Sequence, residues 1–144
     1  METLEDTKQF LEKTSEELNL AKEIDRNEMY KYLMEFGDSL EELPETKKTD
    51  ENFVKGCTSN VYINTEERNG RMFHTGSADS LIVKGYLAIL LKAISGLKKE
   101  DIPKTEALVE KFSEETDIKA SLTPSRANAF GNIYKTMKEK AIKK

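Results

Sequence analysis

A run of apolar residues at positions 81–95, LIVKGYLAILLKAIS, constrains the fold more than any other stretch of the sequence. Only Lys84, Gly85 and Lys92 interrupt it, so a helix formed here is apolar on nearly every side. The run is shorter than the roughly 20 residues that a membrane-spanning helix needs, and its lysines also disfavour a bilayer. A helix that is apolar on all sides is normally buried inside a protein. We therefore predict a central helix at residues 80–95, with the rest of the chain packed around it.

Polar and small residues mark the two ends of this helix. Ser77 or Asp79 is suited to cap its start, because a short polar side chain can accept a hydrogen bond from the free backbone N–H groups there. Gly96 stands where a glycine commonly ends a helix.

A β-hairpin is predicted directly before the central helix. Val61 and Ile63 alternate with more polar neighbours, which is the period-two pattern of a strand. Asn69 and Gly70 form the pair that a two-residue type I′ turn prefers, since both residues tolerate positive φ. Residues 71–77 then return as the partner strand.

The turn position also fixes the register of the hairpin. If Asn69 and Gly70 are the two turn residues, Thr65 faces His74, and residues 77–79 return beside residues 60–62. The second strand therefore ends close to Cys57.

Amphipathic helices are predicted on both sides of this central unit, because apolar residues recur at steps of three and four. Asp25 followed by Glu28 resembles a capping box, and Thr123 with Pro124 forms an N-cap and first-turn pair. The predicted core positions are Leu4, Leu11, Leu18, Ala21 and Ile24; Met29, Leu33, Phe36 and Leu40; Leu108, Val109 and Phe112; and Ala127, Phe130, Tyr134, Met137 and Ala141.

These elements predict a single domain over residues 1–144, because a chain of 144 residues has room for one core and not for two ordinary domains. The fold class is α+β: a small antiparallel sheet packs against several helices. The sheet has about three strands if residues 53–55 pair with the hairpin. Within the domain we assign an N-terminal helix to residues 1–24, the cysteine loop and hairpin to 52–79, the central helix to 80–95 and a C-terminal helix to 124–142.

The charge balance of the chain disfavours several classes of partner. The formal net charge is -4, whereas nucleic-acid affinity comes mainly from clustered cations. We expect no nucleic-acid partner and no membrane partner. The sequence also opens without the charged-then-apolar pattern of a signal segment, so we expect a cytoplasmic protein.

Cys57 is the only cysteine, which excludes a disulfide within the chain. One cysteine and one histidine cannot supply the three or four ligands of a typical zinc site, so we expect no metal. Cys57 directly follows Gly56 in a loop that enters the first strand, which is typical of an accessible thiol. A cysteine that fills a gap in the core is equally compatible with this pattern.

Three separated blocks of the sequence resemble the SufE family, the sulfur-acceptor proteins that partner group II cysteine desulfurases in iron–sulfur cluster assembly. The blocks are GCTSNVYI at residues 56–63, SADSLIVKG at 77–85 and LTPSRAN at 122–128. Their order and spacing also fit, and the likeness covers most of the chain beyond about Asp25. The resemblance implies a SufE/IscU-like fold with the cysteine loop at the tip of the sheet.

The resemblance also implies a function. Cys57 is expected to take persulfide sulfur from a cysteine desulfurase, stimulate that enzyme, and pass the sulfur to an iron–sulfur scaffold complex. The pyridoxal phosphate belongs to the desulfurase, so this chain is expected to carry no cofactor and to be a sulfur-transfer accessory protein more than a stand-alone enzyme. A homodimer is left open.

The thiolate is the reactive form of cysteine, so features that stabilise it near Cys57 are of interest. Lys55 offers a cation two positions away, and the start of the central helix offers unpaired N–H groups. Gly56 lets the backbone turn without steric cost.

Other matched residues are assigned to partner binding or to support of the loop. Ser59 belongs to the cysteine motif, and Asp79 and Arg126 match the second and third blocks. The alternatives are a helix cap for Asp79 and a buried structural ion pair for Arg126. Ser125, Asn128 and Lys84 also match and are interpreted as structural or rim residues.

Two other functions are considered. A scaffold-like module that only regulates a partner would share the fold without using the thiol. A cysteine hydrolase would need Cys57, His74 and perhaps Asp79 to meet. In the predicted register His74 faces Thr65, roughly 25 Å along the strand from Cys57 at about 3.3 Å per residue. That separation is too long for a base.

Overall fold

The computed structural model describes the backbone of residues 1–57, 59–118 and 124–143, and the side chains of the same residues except 124–127. The helices within these ranges are α1 (Leu4–Ile24), α2 (Arg26–Asp38), α3 (Leu81–Ile94), α4 (Thr105–Glu115) and α5 (Pro124–Lys143), and the strands are β1 (Val61–Arg68) and β2 (Arg71–Ala78). Short 3₁₀ helices cover Glu45–Lys47, Asp50–Asn52 and Lys99–Lys104.

Helix α3 lies at the centre of the molecule, as its composition predicts. Eleven of its 14 residues are buried, and it contacts α1, α2, α5 and β2. It ends at Ile94, and Gly96 follows with a φ of +99°. The α+β class and the central position of this helix are therefore confirmed.

The sheet is an antiparallel hairpin in which β1 pairs with β2 in the predicted register. Thr65 lies opposite His74, and the turn residues Asn69 and Gly70 have φ values of +53° and +78°. The predicted third strand is reduced to a single bridge between Phe53 and Tyr62. This bridge attaches the segment before Cys57 to the edge of the sheet.

Helices α2 and α3 pack closely because glycines lie at their crossing. A Cβ atom placed on Gly85 would lie 2.3 Å from the carbonyl oxygen of Leu33, and one on Gly37 would lie 3.2 Å from the backbone nitrogen of Gly85. No larger residue fits at Gly85 without moving a backbone. The hairpin packs on the same helix, α3, through β2.

Ten of the 17 predicted core positions are buried, five are half-buried and Ile24 is exposed, while the side chain of Ala127 lies outside the described residues. Leu11, Leu18, Met29, Leu33, Val109, Phe112, Phe130, Tyr134, Met137 and Ala141 are all buried. Ile24 is 74% exposed, so its assignment to the core is wrong. The reason is its place at the turn: Asp25 ends α1 and also caps α2 by accepting a hydrogen bond from the N–H of Glu28.

Among the residues that the structure describes, no helix has both the length and the apolar character needed to cross a bilayer.

Candidate functional site around Cys57

Cys57 lies in a loop, called here the Cys57 loop, that comprises the residues between Val54 and Val61. The loop is closed at its base by a hydrogen bond of 2.8 Å from the N–H of Val54 to the carbonyl oxygen of Val61. Gly56, directly before the thiol, has a φ of +86°. Residues other than glycine rarely adopt this conformation, so Gly56 permits the turn that presents Cys57.

Helix α5 holds the loop from one side. The side-chain Nδ2 of Asn132 donates a hydrogen bond to the carbonyl oxygen of Gly56 at 3.0 Å. A Cβ atom on Gly56 would lie only 2.5 Å from the same Nδ2 atom. Asn132 was not among the site residues predicted from the sequence, because nothing in the pattern of α5 separates it from the other polar residues of that helix.

The end of β2 holds the loop from the other side. The Oδ1 atom of Asp79 accepts a hydrogen bond of 3.0 Å from the backbone N–H of Asn60. The N-cap residue of α3 is Ser80, and within the described part of the chain this helix end has no side-chain capping hydrogen bond. The prediction that Ser77 or Asp79 caps this helix is therefore wrong. Strand β2 runs as far as Ala78, which places Asp79 beside the loop instead.

The Cys57 side chain is half-buried and packs against the hydrophobic core. This burial raises the pKa of the thiol, because a thiolate is poorly solvated there. The direction of the shift is therefore set by burial. The net lowering of the pKa that Lys55 and the start of α3 were expected to produce is not seen, since burial raises the pKa instead. Burial therefore favours the protonated thiol over the thiolate in the isolated chain.

Ser59 introduces an unfavourable feature into the closed loop. Its hydroxyl oxygen is buried and, among the residues that the structure describes, has no hydrogen-bond partner. A buried hydroxyl without a partner costs free energy that the same group would not cost in water. The closed loop therefore gains from burial of Cys57 and loses from burial of the Ser59 hydroxyl.

A cavity of about 290 Å³ opens beside the base of the loop. Its lining includes Leu40, Leu43, Asn60, Tyr62, Asp79 and Lys84. The cavity brings Asp79 and Lys84 together with apolar side chains near the loop.

His74 is buried on the hairpin and forms a hydrogen bond with Thr65 there. Its Nδ1 atom lies 2.8 Å from the Oγ1 atom of Thr65, as the predicted register requires. Burial, helped by the positive charge of Lys140, lowers the pKa of His74 to about 4. His74 makes no hydrogen bond to Cys57, so the pair that a cysteine hydrolase needs is not assembled.

The structure describes only part of the third sequence block, residues 122–128. Arg126 and Ser125 lie in the first turn of α5, but their side chains are outside the described residues. Asn128 is exposed. The predicted role of Arg126 stays a prediction. In the described part of the chain, no group of three or more histidine, cysteine or carboxylate side chains is arranged to hold a metal ion.

Comparison with known proteins decides the family. The model of the SufE family, described as an Fe-S metabolism associated domain, matches residues 13–141. The chain belongs to the SufE family. This membership confirms the resemblance drawn from the three sequence blocks, and it indicates a sulfur-transfer role in iron–sulfur metabolism.

Several SufE-like proteins are similar to this chain. A SufE-like protein of Synechocystis is 39% identical over 131 residues, which cover 86% of this chain and 80% of that protein. A SufE-like protein of Rhizobium etli is 35% identical over 121 residues, which cover 81% of this chain and 80% of the relative. SufE-like protein 1, chloroplastic/mitochondrial, of Arabidopsis thaliana is 35% identical over 116 residues, but the match spans only 30% of that longer protein.

A solved structure shares the fold. The solution structure of a hypothetical protein from Thermus thermophilus superposes with a TM-score of 0.70 at 15% sequence identity. The match covers 93% of this chain and 94% of the Thermus chain. At this identity the likeness establishes the architecture of this SufE-family chain and nothing about its chemistry.

Proposed function

We propose that this SufE-family protein accepts sulfur on Cys57 from the persulfide of a cysteine desulfurase, stimulates that enzyme, and passes the sulfur to an iron–sulfur scaffold. The observation that carries the proposal is the position of the only thiol. Cys57 sits in a short loop that one side-chain hydrogen bond from α5 and one from the end of β2 hold in place. A thiol held in this way can be delivered to a partner without unfolding the core.

The transfer step is a thiol exchange. The Cys57 thiolate attacks the terminal sulfur of the partner's cysteine persulfide, a new S–S bond forms at Cys57, and the original S–S bond of the persulfide breaks. The partner's cysteine leaves as a thiolate, and Cys57 becomes a persulfide. No external oxidant or reductant is needed, because one sulfur–sulfur bond replaces another.

Because the pKa of Cys57 is raised, formation of its reactive thiolate depends on the partner. Burial favours the protonated thiol in the isolated chain, and protonated thiols are poor nucleophiles. In the proposed complex, movement of the loop into the desulfurase removes this burial and exposes the thiol to the partner's charges. Cys57 would then react in the complex and remain protected outside it. The pyridoxal phosphate that releases sulfur from free cysteine belongs to the desulfurase.

Regulation of a partner without sulfur transfer is the second candidate. The half-burial of Cys57 and its contact with the core favour it, since a packing cysteine has the same surroundings. A desulfurase would then respond to docking of the surface and not to the thiol.

Cys57→Ser separates these two functions, because serine keeps the size of the side chain and removes the sulfur. We expect the variant to fold normally and to lose all stimulation of alanine release by a group II cysteine desulfurase. Full stimulation by the folded variant would favour the regulatory function. The proposed transfer takes place in the cytoplasm, the location expected from the sequence.

A further inference from the structure

We propose that Asn132 is a positioning residue whose hydrogen bond to Gly56, called here the Asn132 latch, keeps the Cys57 loop closed and limits access to the thiol. The sulfur-transfer role of the loop rests on the proposed function. The latch itself is a property of the isolated chain and can be tested without any partner.

Helix α5 binds the segment before Cys57 at two places. Lys140 donates to the carbonyl oxygen of Glu51 at 3.1 Å and to the Oδ1 atom of Asn52 at 2.8 Å. Asn132, eight positions earlier on α5, donates to Gly56. The segment from Glu51 to Gly56 is thus fixed along the last helix at its beginning and at its end.

These two attachments differ in strength. Lys140 makes charge-assisted hydrogen bonds to a segment that Asn52 also anchors from within, since its Nδ2 atom donates to the carbonyl oxygen of Lys47 at 2.8 Å. The Asn132 latch is one hydrogen bond between neutral groups and is exposed. The loop tip can therefore detach from α5 while the base of the segment stays in place.

The closed state of the Cys57 loop should be sensitive to the loss of a single hydrogen bond. Closure buries part of Cys57, but it also buries the Ser59 hydroxyl without a partner among the described residues. Because the unpartnered hydroxyl opposes closure, the loss of one contact that favours closure shifts the population toward the open state. Removing the latch should therefore expose the thiol more often without unfolding the protein.

The test is the alkylation rate of Cys57 by iodoacetamide in the isolated protein. We expect Asn132→Ala to raise the rate about fivefold at neutral pH, which matches the net contribution of an ordinary hydrogen bond. The pH at which the rate is half-maximal should also fall, because the released thiol is better solvated. Alanine favours the helix more than asparagine does, so α5 itself is not weakened.

Thr136→Ala is the matched control, since Thr136 is a half-buried neutral residue one turn further along α5. Its alkylation rate should equal that of the wild type. An unchanged rate and pH profile in Asn132→Ala, or an equal rise in Thr136→Ala, would overturn the latch. The alkylation assay uses the isolated protein, so its result does not depend on sulfur transfer. Sulfur transfer is tested separately with Cys57→Ser and the desulfurase.

A double-mutant cycle provides a second test. Gly56→Ala places a methyl group against the Nδ2 atom of Asn132 and also strains the backbone. If both residues act through this contact, Gly56→Ala should raise the alkylation rate less in the Asn132→Ala background than in the wild type. Strictly multiplicative effects of the two substitutions would count against the latch.

Discussion

The carboxylate of Asp79 accepts a hydrogen bond of 3.0 Å from the backbone N–H of Asn60, and this contact joins the end of β2 to the Cys57 loop. Asp79 is exposed, so it holds the loop from the surface of the protein. Its role in the isolated chain is therefore to order the loop, whatever it contacts in a complex.

Substitution of Asp79 should loosen the loop locally. We expect Asp79→Ala to raise the hydrogen-exchange rate of the Asn60 amide about tenfold, because the amide loses its acceptor. Asp79→Asn keeps an oxygen that can accept the same bond, so its effect should be much smaller. Exchange followed by NMR makes the comparison. Equal protection of Asn60 in wild type and Asp79→Ala would contradict this role.

His74 should make the protein less stable in mild acid. Its pKa is lowered to about 4 in the folded state from the ordinary 6.5, so the unfolded chain takes up the proton first. The free energy of unfolding should therefore fall by about 2 kcal/mol between pH 7 and pH 5 from this residue alone.

His74→Gln is the comparison, because glutamine cannot titrate and can still form a hydrogen bond with Thr65. Urea denaturation of both proteins at pH 7 and pH 5 isolates the histidine contribution as the difference between their losses. The same loss in both proteins would show that His74 is not the source.

The two helix glycines Gly85 and Gly131 should respond to alanine with opposite signs. At Gly85 the new methyl group would meet the Leu33 carbonyl oxygen of α2, so we expect a loss of about 2–4 kcal/mol in the free energy of unfolding. At Gly131 on α5 nothing lies within 4 Å of the added carbon, so we expect a gain of about 1 kcal/mol from helix propensity. Denaturant unfolding measures both. Equal effects would mean that the α2–α3 crossing is not close.

Leu81 provides a test of where the partner docks. It is 60% exposed at the start of a largely buried helix, two residues after Asp79. If the desulfurase covers this side of the Cys57 loop, Leu81→Ser should raise the concentration needed for half-maximal stimulation about fivefold. Ile24→Ser is the control, since Ile24 is 74% exposed at the α1–α2 turn. Equal stimulation curves for Leu81→Ser and wild type would exclude docking through Leu81.

Local sequence patterns predicted the elements of this fold well. The hairpin register followed from Asn69 and Gly70, because a two-residue turn leaves one way to pair the strands. The burial of α3 followed from its composition. Contacts that join distant segments were not predictable in this way: Asn132 and Gly56 are 76 positions apart, and many polar residues of α5 share the same local pattern.

The state of the thiol also depends on tertiary packing. The residues adjacent to Cys57 in sequence favour a lowered pKa, because Lys55 is a nearby cation. Packing of Cys57 against the core raises the pKa instead. Burial depends on the whole fold, and a neighbouring charge that remains in solvent is too well screened to offset it.

The most direct test of sulfur transfer is the mass of the peptide that contains Cys57 after incubation with a group II cysteine desulfurase and isotope-labelled free cysteine. We expect one labelled sulfur atom on Cys57 in the wild type, removable by a thiol reductant, and none on the Cys57→Ser protein. A wild-type chain that stimulates the desulfurase fully while Cys57 never acquires labelled sulfur would contradict the account.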